Sequence, residues 1–163
     1  MINICISNVF IAKLKMPRKT HKGRFKPNNP KKYRGDHTQI IYRSSWEAKF
    51  MRYLDQHPDV LEWESEEFFI PYESPIDGKI HRYFPDFRVK KRNRDGTINT
   101  VIIEIKPQKE TLPPARQEKV TKRYLQEVQT YGINMSKWDA AEKFCKDRGW
   151  EFLVLTEKHL YGK

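Results

Sequence analysis

Cysteine is almost missing from this chain: its 163 residues hold only Cys5 and Cys145, far apart and with no His/Cys cluster beside either. That excludes a disulfide framework and a structural zinc site, and it suits a reducing compartment. Long apolar runs are missing too. The most apolar stretch, MINICISNVFIAKLK at 1–15, lacks a basic leader, a long hydrophobic centre and a small-residue cleavage site, and is too short to cross a bilayer. Met16 then opens MPRKTHKGRF, a typical soluble start, so 1–15 is expected to be a non-functional N-terminal extension, and no membrane association is expected. Acids are scarce as well, 21 against 32 Lys and Arg, which gives a net charge of +11 and a pI near 9.6. That balance favours a polyanionic partner over an acidic small molecule, with nucleic acid first, although ribosomal, histone-like and membrane-surface proteins share it.

What is present supports one folded domain: 37% hydrophobic content with 13% aromatic is enough for a single core in a chain of this length. Residues 17–36 carry eight Lys or Arg against one acid, with Pro and Gly interspersed and no apolar periodicity. Residues 16–40 therefore read as a basic flexible arm that orders on phosphates. From Ser44, helical spacing of Trp46, Phe50, Tyr53 and Leu54 runs to a stop at His57-Pro58. VLEWESEEFFIPY, KIHRYFPDFRVK and TVIIEIK follow as three strands in series, separated by the turn clusters SPIDGK and RNRDGTIN. After Pro113-Pro114, one helix is expected to carry Val120, Tyr124 and Val128 to Tyr131-Gly132. A second is expected from Ser136, with Trp138, Ala141, Phe144 and Cys145 on one face and Gly149 as its stop. WEFLVLT closes the chain as a strand. The order αβββααβ indicates an α/β fold with a mixed β-sheet flanked by helices.

The informative stretch is FPDFRVKKRNRDGTINTVIIEIKP at 84–107. On an extended strand Glu104 and Lys106 share one face while Ile103 and Ile105 share the other, and Pro107 holds Lys106 extended. A loop centred on Asp95 pairs Asp86 with Glu104, with Cβ atoms roughly 5 Å apart. A loop centred between Asp95 and Gly96 would pair Asp86 with Ile105 and reverse the facing. Two carboxylates that close repel unless a cation lies between them, and a hard divalent ion such as magnesium accepts that oxygen set. Lys106 could then orient an attacking water or steady the charge on a phosphate. Taken singly, EIK and PDF are ordinary strand surface. Glu47, three residues after Ser44, reads locally as half of a capping box.

RSSWE at 43–47, FPDF at 84–87 and EIK at 104–106 resemble the PD-(D/E)XK nuclease signature, whose core order matches the one read above. From Met16 onward the chain resembles, within that superfamily, the head-completion nucleases of T-even-type tailed phages, through MPRKTHKGRFKPNNPKKYRGD, IIYRSSWEAKFMRYLD, EFFIPYESPIDGKIHRYFPDF, EIKPQKETLPP and AEKFCKDRGWEFLVLTEKHL. The resemblance implies a restriction-endonuclease-like domain over 41–163 and catalysis by Glu47, Asp86, Glu104 and Lys106. Asp86, Glu104 and Glu47 would hold Mg2+, or Mn2+ in its place. It implies a phosphodiesterase, endonuclease or exonuclease, that trims packaged DNA before head-tail joining, with phage head or portal proteins as partners. The setting would be the host cytoplasm during assembly, or the virion. Arg18, Lys19, Lys22, Arg24, Lys31, Lys32, Arg34, Arg43, Arg88, Lys90, Lys91, Arg92 and Arg94 are the expected DNA contacts. Two other readings stand beside it: the end-cleaving subunit of a heteromeric transposase, and a basic DNA-binding assembly protein without catalysis.

Overall fold

The computed structural model of the protein describes residues 21–161. The expected extension at 1–15, and with it Arg18 and Lys19, lies outside the described residues. Two short strands, β1 (Gly23–Arg24) and β2 (Ile41–Tyr42), pair ahead of helix α1 (Ser45–Gln56). Then come β3 (Val60–Glu64), β4 (Ile70–Glu73), β5 (Ile80–Tyr83), β6 (Phe87–Arg92), β7 (Ile98–Ile105), helix α2 (Lys122–Lys146), β8 (Glu151–Leu155) and a short helix α3 (Glu157–Tyr161). The main sheet has the order β3-β6-β7-β8, antiparallel except where β8 joins β7 in parallel, and β4 and β5 form a hairpin of their own. This is the expected mixed sheet with flanking helices.

Strand alternation divides the interior in two. Val101, Ile103 and Ile105 of β7, with Phe87 and Val89 of β6, face α1 and bury Phe50, Met51 and Leu54. The opposite face is covered by the β4-β5 hairpin and α2, where Ile70, Tyr72, Tyr83, Trp138 and Ala141 form a second cluster. α1 begins where the sequence indicates: the Ser44 hydroxyl accepts the Glu47 N–H at 3.1 Å, and the helix ends at His57, before Pro58.

Three expectations change. The segments read as the first two strands are each divided. Glu66 adopts φ 54 and turns the chain off the main sheet between β3 and β4. Pro85, which has no N–H to donate, separates β5 from β6. The described part of the segment expected to be a flexible arm lies against the domain. Tyr33 and Ile40 are buried, Tyr33 bridges to Trp63 at the free edge of β3, and the fully buried Asp55 carboxylate accepts the N–H groups of Asn28 and Asn29 at 2.8 and 3.0 Å. Isolated anchors of this kind leave no periodic pattern in a basic, proline-rich segment.

The third change is that the two helices expected after Pro114 are one. α2 runs unbroken through Gly132, while Val120 lies before its first turn and is exposed. Glycine ends a helix when it takes a left-handed conformation, as Gly149 does at φ +64, and Gly132 does not. A Cβ at Gly132 would meet nothing nearer than the Pro75 ring at 3.9 Å. Gly132→Ala is therefore expected to stabilise the protein by about 0.5–1 kcal/mol in urea unfolding, since the helix loses its most flexible residue. A destabilised variant would mean that the chain turns at this point.

Candidate active site

The β6-β7 loop sets the register of the hairpin. Asn93 N–H donates to the Thr97 carbonyl at 2.8 Å, Asp95 accepts both the N–H and hydroxyl of Thr97, and Gly96 takes φ +84. The loop is thus centred on Asp95, Phe87 pairs with Ile103 and Arg88 with Ile102. Continued one step, that register sets Asp86 beside Glu104, the first of the two alignments open to the sequence. The Asp86 carboxylate accepts the Ile105 N–H at 2.7 Å, and Ile103 and Ile105 are buried on the far face.

Glu104 is buried, and both of its oxygens are engaged. One is 3.0 Å from the Lys106 ammonium, and the other accepts the Tyr83 hydroxyl at 2.7 Å. Burial, then the Glu104 charge, push the Asp86 carboxyl well above its ordinary range; the Ile105 N–H and Lys106 oppose them, and Glu47 adds to the rise. Burial lowers the Lys106 ammonium, but Glu104 and Asp86 outweigh it and leave Lys106 raised. Burial and Glu104 likewise raise the Tyr83 phenol, so Tyr83 remains a hydrogen-bond donor.

Glu47 enters from the first turn of α1. Its carboxylate accepts the Ser44 hydroxyl and the Arg43 N–H, both at 2.8 Å, so the local reading of a cap is correct as far as it goes. The same carboxylate is close enough to Asp86 to raise it. One acid was missed by the sequence reading. Glu66 pairs with Arg43 at 2.6 Å, and burial raises its carboxyl against the pull of Arg43, with Glu47 and Glu104 adding to the rise. Only its positive φ, which a sequence does not display, marks it out.

The donor set fits a hard cation. Oxygen ligands of excess negative charge meet at Asp86 and Glu104, and Asp86 Oδ1 has no hydrogen-bond donor among the described residues. No three His, Cys, Asp or Glu side chains among the described residues close into a cage for a metal ion. An open, two-carboxylate site is the form magnesium favours, because it retains waters and binds substrate phosphate.

The expected DNA contacts separate into groups. Lys22, Arg24, Lys31, Arg34, Lys90, Arg92 and Arg94 are exposed, and Lys91 is half-buried. Lys32 donates to the His57 carbonyl at 2.8 Å. Arg34 faces Glu62 and Glu64 at 3.5 and 3.8 Å, and Arg88 holds Glu64 at 2.7 Å with its side chain only 17% exposed. Lys90, Lys91 and Arg92 lie towards the loop end of the hairpin, roughly 13–20 Å from Asp86 at about 3.3 Å per residue.

A model of the TnsA-like endonuclease N-terminal family matches residues 57–157. The chain belongs to that family. Its fold is restriction-endonuclease-like, in agreement with the mixed sheet described above. The chain is also 41% identical over 144 residues to the head completion nuclease of Enterobacteria phage T4, an alignment covering 86% of this chain and 93% of that protein. This endonuclease-family membership makes the chain a DNA-cleaving enzyme, and the carboxylates of the β6-β7 hairpin are its candidate centre.

With its carboxyl raised in the fold, Asp86 favours folding below its unfolded value, and that contribution is lost as pH rises through the folded value. In metal-free protein, Asp86 is therefore a cost at pH values above the ordinary carboxylate range. Asp86→Asn, which stays neutral and can still accept the Ile105 N–H, should melt higher than wild type at pH 7. The gap should shrink toward pH 4, and Mg2+ should raise the melting temperature of wild type alone. A variant that melts lower at pH 7 would show that the carboxylate is not under this strain.

Proposed function

We propose that the chain is a Mg2+-dependent DNA nuclease of phage head completion, trimming DNA that protrudes from the filled head before the tail joins. The observation that supports the metal-dependent part is the closeness of the Asp86 carboxylate, tied to the Ile105 N–H, to Glu104, with Lys106 held against Glu104 at 3.0 Å. Asp86 and Glu104 would hold the ion, with Glu47 completing or orienting the shell. A cation held by these carboxylates would supply charge neutralisation, a more acidic water and electrophilic help at the scissile phosphate. The chain's own groups prepare that site. The Ile105 N–H fixes Asp86, the Tyr83 hydroxyl fixes one oxygen of Glu104, and Lys106, held 3.0 Å from Glu104, would orient the attacking water. The phage assignment is supported by the 41% identity to a head completion nuclease along nearly all of that protein. Matching the TnsA-like family supports the second reading, an end-cleaving transposase subunit, to the extent that both share this centre.

Purified protein should cut DNA with Mg2+ or Mn2+ and stop with EDTA, and Asp86→Asn or Glu104→Gln should slow cutting by ~10²–10³-fold or more while remaining folded. Lys106→Ala should lower kcat more than DNA affinity, since its charge matters most as negative charge develops. Retained cleavage in both carboxylate variants would leave the hairpin without a catalytic role. Comparing linear, circular, single-stranded and flapped DNA gives the mode of attack.

Glu47→Gln separates capping from catalysis. A glutamine oxygen can accept the Arg43 N–H and its amide can donate to the Ser44 hydroxyl, so stability should change by less than about 0.5 kcal/mol, while cleavage falls because an amide is a poor metal ligand. Full cleavage in this variant would return Glu47 to the cap alone.

A further inference from the structure

A second lysine stands against the acidic centre, on the helix that covers it. Lys137 of α2 is half-buried, with its ammonium 5.6 Å from the ring centre of Tyr83 and 5.6 Å from that of Tyr72. Tyr83 is the residue whose hydroxyl binds Glu104, so Lys137 lies one side chain away from the carboxylates. We propose that Lys137 binds a non-bridging oxygen of the DNA phosphate at the cleavage site, a role that rests on the nuclease reading above.

The other cations near the centre are already matched. Lys106 is 3.0 Å from Glu104 and Arg43 is 2.6 Å from Glu66, so each neutralises an acid. Lys137 has no carboxylate or other acceptor at hydrogen-bond distance among the described residues, and its three donors are held by aromatic faces on one side. An ammonium half-removed from water without an acceptor is costly, and an incoming phosphate oxygen supplies the missing partner. Glu104, Lys106 and Asp86 all act electrostatically on Lys137, as proximity to the centre requires. The partner an ammonium lacks there is an anion, and the anion of this reaction is a phosphodiester.

The test uses the full chain carrying Asp86→Asn, so that DNA is bound and not cut, and measures affinity for a short duplex across a range of NaCl concentrations. Lys137→Met should reduce the slope of log affinity against log salt by about one unit, and Lys137→Arg should keep it. Lys146→Met, which removes the same charge from the exposed end of α2, should leave the slope unchanged. With Asp86 restored and Mg2+ present, Lys137→Met should lower kcat/KM by ~10-fold or more, at a melting temperature no lower than that of wild type. If Lys137→Met does not fold, Lys137→Gln carries both measurements. Active wild type with an unaltered slope and rate in the Lys137 variants overturns this inference and leaves the nuclease reading intact. So does a fall equal to that of Lys146→Met. Wild type that neither binds nor cuts DNA overturns both.

Discussion

Strand pairing between β6 and β7 holds Asp86 beside Glu104, and the pairing is not chosen by the carboxylates, which repel. It is imposed from the opposite face. A slip of one residue would turn Val101, Ile103 and Ile105 out of the core and bring Glu104 into it. Each buried aliphatic side chain contributes about 1.5–3 kcal/mol, so the register withstands the electrostatic cost on its other side. The Asn93–Thr97 loop adds its own preference, because Gly96 at φ +84 and the Asp95-Thr97 contacts suit a loop centred on Asp95. The centre is therefore a dependent of the hydrophobic core, which is why acids can persist there without a cation bound.

Around that constraint the remaining contacts lessen the strain without removing it. Asp86 receives one backbone N–H, Glu104 receives a phenol and an ammonium, and Glu47 is tied into the α1 cap. None of these makes Asp86 comfortable as an anion, since its carboxyl stays raised against them. The stability that the raised Asp86 carboxyl costs is what a cation would return if it bound there as proposed.

The hairpin, the α1 cap and the final strand were legible because each is encoded within a few residues: alternation about RNRDGTIN, Ser44 with Glu47, and the apolar run of β8. The continuity of α2 was not legible, since Gly132 ends or continues a helix according to its backbone conformation and not its identity. Packing of residues 21–40 depends on Tyr33 meeting Trp63 and on Asp55 accepting two distant N–H groups, contacts more than 20 residues apart in sequence. Glu66 and Lys137 escaped for the same reason. Glu66 reaches the centre through a turn that its neighbours WESEE do not announce, and Lys137 sits beside Asp139 and Lys143, which look like any solvated helix face.

Charge counting fails at one further point, and the failure concerns where DNA can lie. A net charge of +11 suggests a surface uniformly receptive to phosphate. Yet Arg34, Arg43 and Arg88 are set against Glu62, Glu64 and Glu66, the acids that line β3 and its exit. Burial raises Glu64 even with Arg88 at 2.7 Å, and Arg88 also lies against the rings of Phe68 and Trp150, so that pair gives little positive field to solvent. Lys22, Arg24, Lys31, Lys90 and Arg92 remain exposed, and theirs is the charge left for a phosphate backbone. Under the nuclease reading, a phosphate brought to the acidic centre would need a local cation there, bound or built in, to be tolerated beside Asp86 and Glu104.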